Sequence, residues 1–380
     1  MRFGFILVLI ISILFTGCRH KDKNQLKFRK KDQKIEVNAY AEIFELIHCK
    51  GYSLLHLKDP WRKGGFYGKY ILIPRNIELP VGLPPEYQVI RTPVERFACM
   101  ASTNVAMLAA LKNISRIAGV TNPDKIFNEE VYSLYQRGKI NHIGDDFTPK
   151  FEQVISCSPE VILKNGYNQS LQNDEVFLKS GIPVFYNLEW MENTALGRAE
   201  WIKVLGEMTN KRTLADSIFN KVKSNYDSLK KVALSGKHTP KILLSSNYKG
   251  TWYLPGGKSY YARMLKEAKG DYCYSNDSSS GSIPLSFEVV LDKLLNAGVW
   301  IDESVHSFSE LKNQDVRYTY FRAYREKQVY GRCARVNSRG ANDYWETGVV
   351  RPDLTLADLI KILHPELLPG YKLFFHKKLE

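Results

Sequence analysis

The sequence predicts an α/β protein of two Rossmann-like lobes, each on a mainly parallel sheet, joined by one long helix. Three observations predict it. Short apolar strand-like runs alternate with helical segments of about ten residues, the pattern of parallel α/β layering. One longer amphipathic run, Thr209 to Ala233, interrupts the alternation near the middle of the chain. A short motif occurs twice, once on each side of that run. The chain has 380 residues, enough for two lobes. Its 44% hydrophobic and 25% charged residues are an ordinary globular composition.

The N-terminus sets the compartment. Arg2 precedes an apolar run from Phe5 to Phe15, and Thr16-Gly17-Cys18 follows. A basic start, a short apolar core and small residues before a cysteine form a secretory signal. The run is too short to span a membrane comfortably. Leu14 to Cys18 is similar to a bacterial lipoprotein signal, which implies cleavage after residue 17 and lipidation of Cys18. The polar stretch 18–34 has little to bury and is expected to be a disordered tether. The expected location is therefore the periplasm or cell surface, on a lipid anchor.

Residues 35–208 are expected to form the first lobe. Ile35–Val37, Ser53–Leu57 and Lys69–Ile73 read as short strands between turns at Pro60-Trp61 and Gly64-Gly65. Aromatics are dense here, suggesting a small antiparallel layer over the lobe. Val89–Thr92 reads as the first strand of the lobe proper, followed by a helix at Val105–Leu111. Helices at Pro123–Gln136, from Lys150 and at Glu175–Lys179 alternate with strands at Glu160–Leu163 and Ile182–Tyr186. Trp190 precedes a helix at Leu196–Leu205, and Trp201 lies within it.

The linking helix, 209–235, carries apolar residues at Leu214, Ala215, Ile218, Phe219, Val222, Tyr226 and Leu229, one helical stripe. It contains no Pro or Gly and stops at Ser235-Gly236 before Pro240. Its expected length is roughly 36 Å at 1.5 Å per residue. Residues 236–380 repeat the alternation. Strands are expected at Lys241–Ser245, Gly298–Ile301 and Gln328–Tyr330. Helices are expected at Ser259–Ala268, near Leu285 and at Thr355–Leu363. Trp252–Gly257 reads as a loop.

The repeated motif is Phe151-Glu152-Gln153-Val154, then a strand from Glu160, and Phe287-Glu288-Val289-Val290, then a strand from Gly298. Each glutamate falls in a first helical turn, where the helix dipole favours negative charge. With the long helix, the lipoprotein signal, and the runs Leu196–Ile202 and Arg351–Leu359, this pattern resembles a family. It is the periplasmic-binding-protein-like lipoproteins of ABC importers for cobalamin, ferric siderophores and haem. The resemblance covers roughly 89–373. Ser158-Pro159-Glu160 departs from the usual lysine-proline-aspartate ending of the first motif.

The resemblance implies a monomer that holds a ferric siderophore, haem or a corrinoid between the lobes and delivers it to a dimeric ABC permease. It implies that Glu152 and Glu288 dock onto permease arginines, through charge-assisted bidentate bonds. Ligand contacts are expected at loops near strand ends: Arg96, Met100, Tyr186, Trp190, Trp252, Tyr253, Trp345 and Arg351. Aromatics suit flat ligands, and the arginines can pair with carboxylates or phosphate.

The formal net charge of +14 is spread along the chain, with no arginine-rich arm or nucleic-acid motif. An anionic ligand or membrane surface accounts for it as well. No GxSxG, HExxH, Walker loop or strand-linked GxGxxG occurs, so neither an enzyme nor a resident cofactor or metal is expected. The rival readings are an extracytoplasmic hydrolase, which would turn over a substrate, and an adhesion lipoprotein, which would need no cleft. Cys49, Cys99, Cys157, Cys273 and Cys333 are far apart without a CxxC pair, and their pairing is open.

Overall fold

The computed structural model describes residues 26–28, 33–168, 174–302 and 305–380. The signal peptide and Cys18 lie outside these residues. Leu26–Phe28, inside the stretch read as tether, dock onto the folded body. The Val81 N–H donates to Leu26 O, the Phe28 N–H donates to Val81 O, and the Phe28 ring meets Tyr87 edge-on.

The chain first builds an accessory sheet of β1 (Lys34–Ile35), β2 (Phe44–Cys49), β3 (Tyr52–Lys58), β4 (Phe66–Pro74) and β5 (Gln88–Thr92), in that spatial order. All pairs are antiparallel except β4 with β5. Alternate residues of a strand point to opposite faces. Leu55, Leu57, Tyr70 and Leu72 therefore join the core of the first lobe, while Leu54, Ile71 and Ile73 join a smaller outer cluster. Two buried faces explain why Tyr70–Ile73 is apolar without interruption. Val89–Thr92 belongs to this sheet rather than to the lobe proper.

The first lobe has five parallel strands: β6 (Phe97–Cys99), β7 (Ile117–Val120), β8 (Asn141–His142), β9 (Val161–Asn165) and β10 (Val184–Asn187), ordered β10-β9-β6-β7-β8. Its helices are α1 (Ser102–Ala110), α2 (Glu129–Gln136), α3 (Phe151–Ser156), α4 (Glu175–Lys179), α5 (Ala195–Glu200) and α6 (Ile202–Met208). The central strand β6 has three residues, too few for a period-2 pattern to show in the sequence.

Two buried acids bolt the accessory sheet to this lobe. The Glu200 carboxylate accepts from the N–H groups of Ala39, Tyr40 and Ala41 and from Lys203 Nζ. Glu192 accepts from the N–H groups of Glu42 and Ile43 and from the Trp201 indole. Burial pushes the Glu192 carboxyl up to about 7, against those three donors. The run Leu196–Ile202 is thus a structural fastening.

The linking helix α7 (Arg212–Leu234) has 23 residues, about 34 Å. Ala215 and Phe219 pack into the first lobe's core, and Val222, Tyr226 and Ala233 into the second's. The second lobe has parallel strands β11 (Ile242–Leu244), β15 (Val299–Asp302) and β16 (Val329–Gly331), closed by antiparallel β17 (Lys377–Lys378). A flap of β12 (Asn247–Tyr248), β13 (Thr251–Pro255) and β14 (Ser282–Leu285) pairs antiparallel beside it. The stretch from Trp252, expected as loop, is strand. Helices α8 (Tyr260–Glu267), α9 (Phe287–Leu294), α10 (Phe308–Gln314), α11 (Arg322–Arg325) and α12 (Pro352–Leu363) complete the lobe. In α12, Asp358 accepts from the N–H groups of Phe374, Phe375 and His376, the His376 ring and the Tyr371 hydroxyl. That carboxylate fastens the C-terminal tail.

Candidate functional site

The two lobes face each other across a cleft at the C-terminal ends of the first lobe's strands. In open parallel sheets, this is where ligands bind. The main cavity measures about 730 Å³ and takes its walls from both lobes, within the range of small-molecule sites. Trp190 and Asn193, just beyond β10, form one wall. Tyr248, Lys249 and Tyr253 of the flap, with Tyr260 and Tyr261 opening α8, form the other. Asp302 and Arg332, at the ends of β15 and β16, also line it. The Arg332 guanidinium lies 4.2 Å from the Tyr261 ring centre and 4.5 Å from that of Tyr344. Five rings converge on one space with Lys249 and Arg332 and the carboxylates Glu192 and Asp302, an arrangement suited to a flat, largely apolar ligand.

A second recess of about 350 Å³ lies toward β7 and β8, between Ser102, Thr121, Lys125 and Asp146 on one side and Gly340–Asn342 with Trp345 on the other. At this recess the lobes touch: Ser102 Oγ donates to Trp345 O at 3.3 Å. A clasp of charged groups holds this side together. Arg339 grips Glu129 with both terminal nitrogens and lies 3.6 Å from the Tyr132 ring centre. Glu346 accepts from the N–H groups of Phe127 and Asn128. Burial pushes the Glu346 carboxyl up to about 7, and nearby Asp343 adds to the rise, while the two N–H groups and Arg339 oppose it.

The expected ligand residues separate into two groups. Trp190 and Tyr253 line the main cavity, and Trp345, 46% exposed, lines the smaller recess. The others do not reach the cleft. Trp252 is 0% exposed, boxed by Phe287, Trp300, Tyr318 and Phe321, and its indole donates to Leu244 O. Alternation along β13 turns Trp252 inward and its neighbour Tyr253 outward. Met100 and Tyr186 are core residues, the latter donating to Asp174, itself paired with Lys164. Arg96 precedes β6, at the end of the sheet away from the cleft, and donates to Cys157 O and Ser158 O. Arg351 makes a two-bond pair with Asp353, which also accepts from Asn225 of α7. It ties the last helix to the linker.

Tyr248, Lys249, Tyr260, Tyr261 and Arg332 also line the cavity, though the sequence pattern does not single them out. Tyr260-Tyr261 immediately after a capping Ser259 was the available signal, since a helix start beside a cleft presents its first turn. Glu152 and Glu288 are both exposed in the first turns of α3 and α9. Their neighbours Phe151 and Phe287 turn inward, against Phe177 and Tyr318. Glu288 also lies 3.6 Å from Arg317. Among the described residues Cys99, Cys157, Cys273 and Cys333 are free thiols.

The sequence profile described as periplasmic binding protein matches residues 98–332. An uncharacterised lipoprotein of Methanocaldococcus jannaschii is 28% identical over 407 residues, covering 98% of this chain and 95% of the relative. Among solved structures, a possible iron-binding, periplasmic solute-binding protein of Staphylococcus epidermidis superposes with a TM-score of 0.56 at 18% identity, over 72% of this chain and 100% of that one. A periplasmic haem-binding protein from Roseiflexus gives a TM-score of 0.55 at 14% identity, over 72% and 99%. At these identities the solved structures share the fold.

Proposed function

The chain belongs to the periplasmic binding protein family, and we propose that it captures a flat metal chelate, a ferric siderophore, haem or a corrinoid, between its lobes for an ABC permease. The observation that carries this reading is the interlobe cavity walled by Trp190, Tyr248, Tyr253, Tyr260 and Tyr261, with Lys249 supplying positive charge. Rings bury the ligand's plane, and Lys249 pairs with an acidic group. The haem-binding protein from Roseiflexus and the possible iron-binding protein of S. epidermidis share the fold, which supports the ligand class.

Delivery follows from the outer face. Glu152 and Glu288 project from matching helix starts on the two lobes, anchored by inward-facing phenylalanines. Two fixed carboxylates orient the loaded protein on permease arginines and steer encounter more than they set affinity. The lipid on Cys18 keeps the protein at the membrane, and the lipoprotein relative supports that placement.

Titration of the mature chain with haemin, cyanocobalamin and a ferric tris-catecholate, followed by tryptophan fluorescence, tests the reading. Saturable quenching by one of them, weakened when Tyr253→Ala is introduced, is the expected result. A folded protein that none of the three quenches would sink it.

A further inference from the structure

The profile match begins at residue 98, after the accessory sheet. This sheet does more than cover a core. It closes the free edge of β10 with side chains: Tyr70 donates to Val184 O, Gln88 accepts from the Val184 N–H, and Tyr70 accepts from the Tyr186 N–H. Capping an edge strand needs only these. Past them, the sheet reaches the mouth of the cleft.

Two contacts make that reach. The Tyr67 hydroxyl donates to Tyr167 O at 2.9 Å and accepts from the Tyr167 N–H at 3.0 Å, gripping the loop after β9. The grip is close enough that a Cβ on Gly166 would stand 2.8 Å from the Tyr67 ring. Trp61, in the turn between β3 and β4, is held by its N–H on Asp59 and packs on Tyr67 and on Trp190. Trp190 is a cavity wall. Its ring continues the row to Tyr167 at 5.7 Å, and Tyr167 to Phe147 at 5.4 Å. Phe147 is 71% exposed, a large apolar side chain left in water at the rim of a site.

We infer that the row Trp61–Trp190–Tyr167–Phe147 is a ligand subsite outside the two-lobe cleft, for an apolar or aromatic arm of the chelate held in the main cavity. The accessory sheet is then a third wall, with Tyr67 as the positioning residue for the loop that carries Tyr167. The occupant follows from continuity: Trp190 belongs to both the cavity and the row, so a ligand seated in one extends onto the other. Ring-on-ring contact recognises such an arm without hydrogen bonds. This inference rests on the cavity being the ligand site.

The test uses the mature full chain with haemin and cyanocobalamin as probes, and the variants Trp61→Ala, Trp61→Phe and Tyr253→Ala. Trp61→Ala is expected to weaken each probe the wild type binds by about tenfold, the order of one aromatic contact. Trp61→Phe should restore binding to within about threefold and melt within about two degrees of wild type, while Trp61→Ala, which removes a ring packed against the edge of the first lobe's core, should melt a few degrees lower. If Trp61→Ala binds like wild type while Tyr253→Ala is weakened, the third wall is overturned and the cleft reading stands. Equal weakening by Trp61→Ala and Trp61→Phe, with a lowered melt, also overturns it. If the wild type binds neither probe, the inference falls together with the cleft assignment for these ligands.

Discussion

The two lobes place their aromatic residues differently. The second lobe drives two of its three indoles inward: Trp252 and Trp300 form the centre of a core box with Phe287, Tyr318 and Phe321, while Trp345 lines the smaller recess and the rings on its side of the main cavity are tyrosines. The first lobe buries Trp201 but sets Trp190 on the cleft wall, with Trp61 of the accessory sheet behind it. The difference lies in the backbone each ring sits on. Trp252 sits mid-strand, where alternation assigns a face, and Trp190 sits in a short turn beyond a strand end, where the cleft opens. Residue type alone therefore does not assign a role; position relative to the strand end does.

The most severe way to break this contrast is to truncate both members of the β13 pair. Trp252→Ala should cost about 3–5 kcal/mol of stability, the range for a buried ring, read by urea unfolding. Tyr253→Ala should stay within about 0.5 kcal/mol, as exposed positions do, while weakening ligand binding. Equal destabilisation by the two would undo the alternation argument.

Glu200→Ala sharpens the contrast from the first lobe's side. It strands three N–H groups and the Lys203 ammonium in a buried site, at a cost of about 3–5 kcal/mol. Limited proteolysis should then cut within 33–92 first, leaving the second lobe intact. Cleavage distributed evenly over the chain would show that the acid does not secure the sheet.

A smaller effect follows pH. Glu192 and Glu346 have folded values of about 7, above the ordinary 4.5. The unfolded chain releases these protons first, so their stabilisation is full below about pH 4.5 and is lost as pH rises toward 7. The melting temperature should fall between pH 5 and pH 8, and Glu346→Gln should flatten the lobe-clasp share of that slope. Asp358 acts in the opposite sense. Burial raises its carboxyl, but His376 and the tail N–H groups hold it below the ordinary range. Its contribution is present above about pH 4 and lost only in stronger acid. A melt that rises from pH 5 to pH 8 would contradict the assignment for the two glutamates.

The smallest structural effect is expected at the docking pair. Glu152→Ala and Glu288→Ala should shift stability by less than about 0.5 kcal/mol and leave ligand binding unchanged, while reducing uptake by cells carrying the permease. Normal uptake in the double variant would remove the docking role.

Much of the architecture was legible because it is written locally. The α7 stripe shows at helical spacing, and the Phe-Glu pairs show as a repeat. What could not be read depends on distant partners. Nothing near Glu192, Glu200 or Asp358 in the chain signals burial, because their backbone donors lie far along it: Glu200 accepts from residues about 160 positions upstream. Arg351 looked like a ligand cation until its neighbour Asp353 claimed it. Trp252 and Tyr253 look equivalent in the sequence because the adjoining Pro255-Gly256-Gly257 gives a five-residue strand the pattern of a loop, which hides the parity that separates them. Strand β6 was hidden by its length.

That long reach has a consequence for how the chain assembles. Ala39 and Glu200 are 161 positions apart, so the first-made strands cannot complete their seating until more than half the polypeptide is in place. Contacts of such separation carry a large loop-closure entropy and form slowly. The accessory sheet emerges first but locks only once Glu200 has been made. Until it locks, the apolar inner face formed by Leu55, Leu57 and Leu72 lacks its cover, which makes that interval the point at which a newly exported molecule is most open to association with its neighbours.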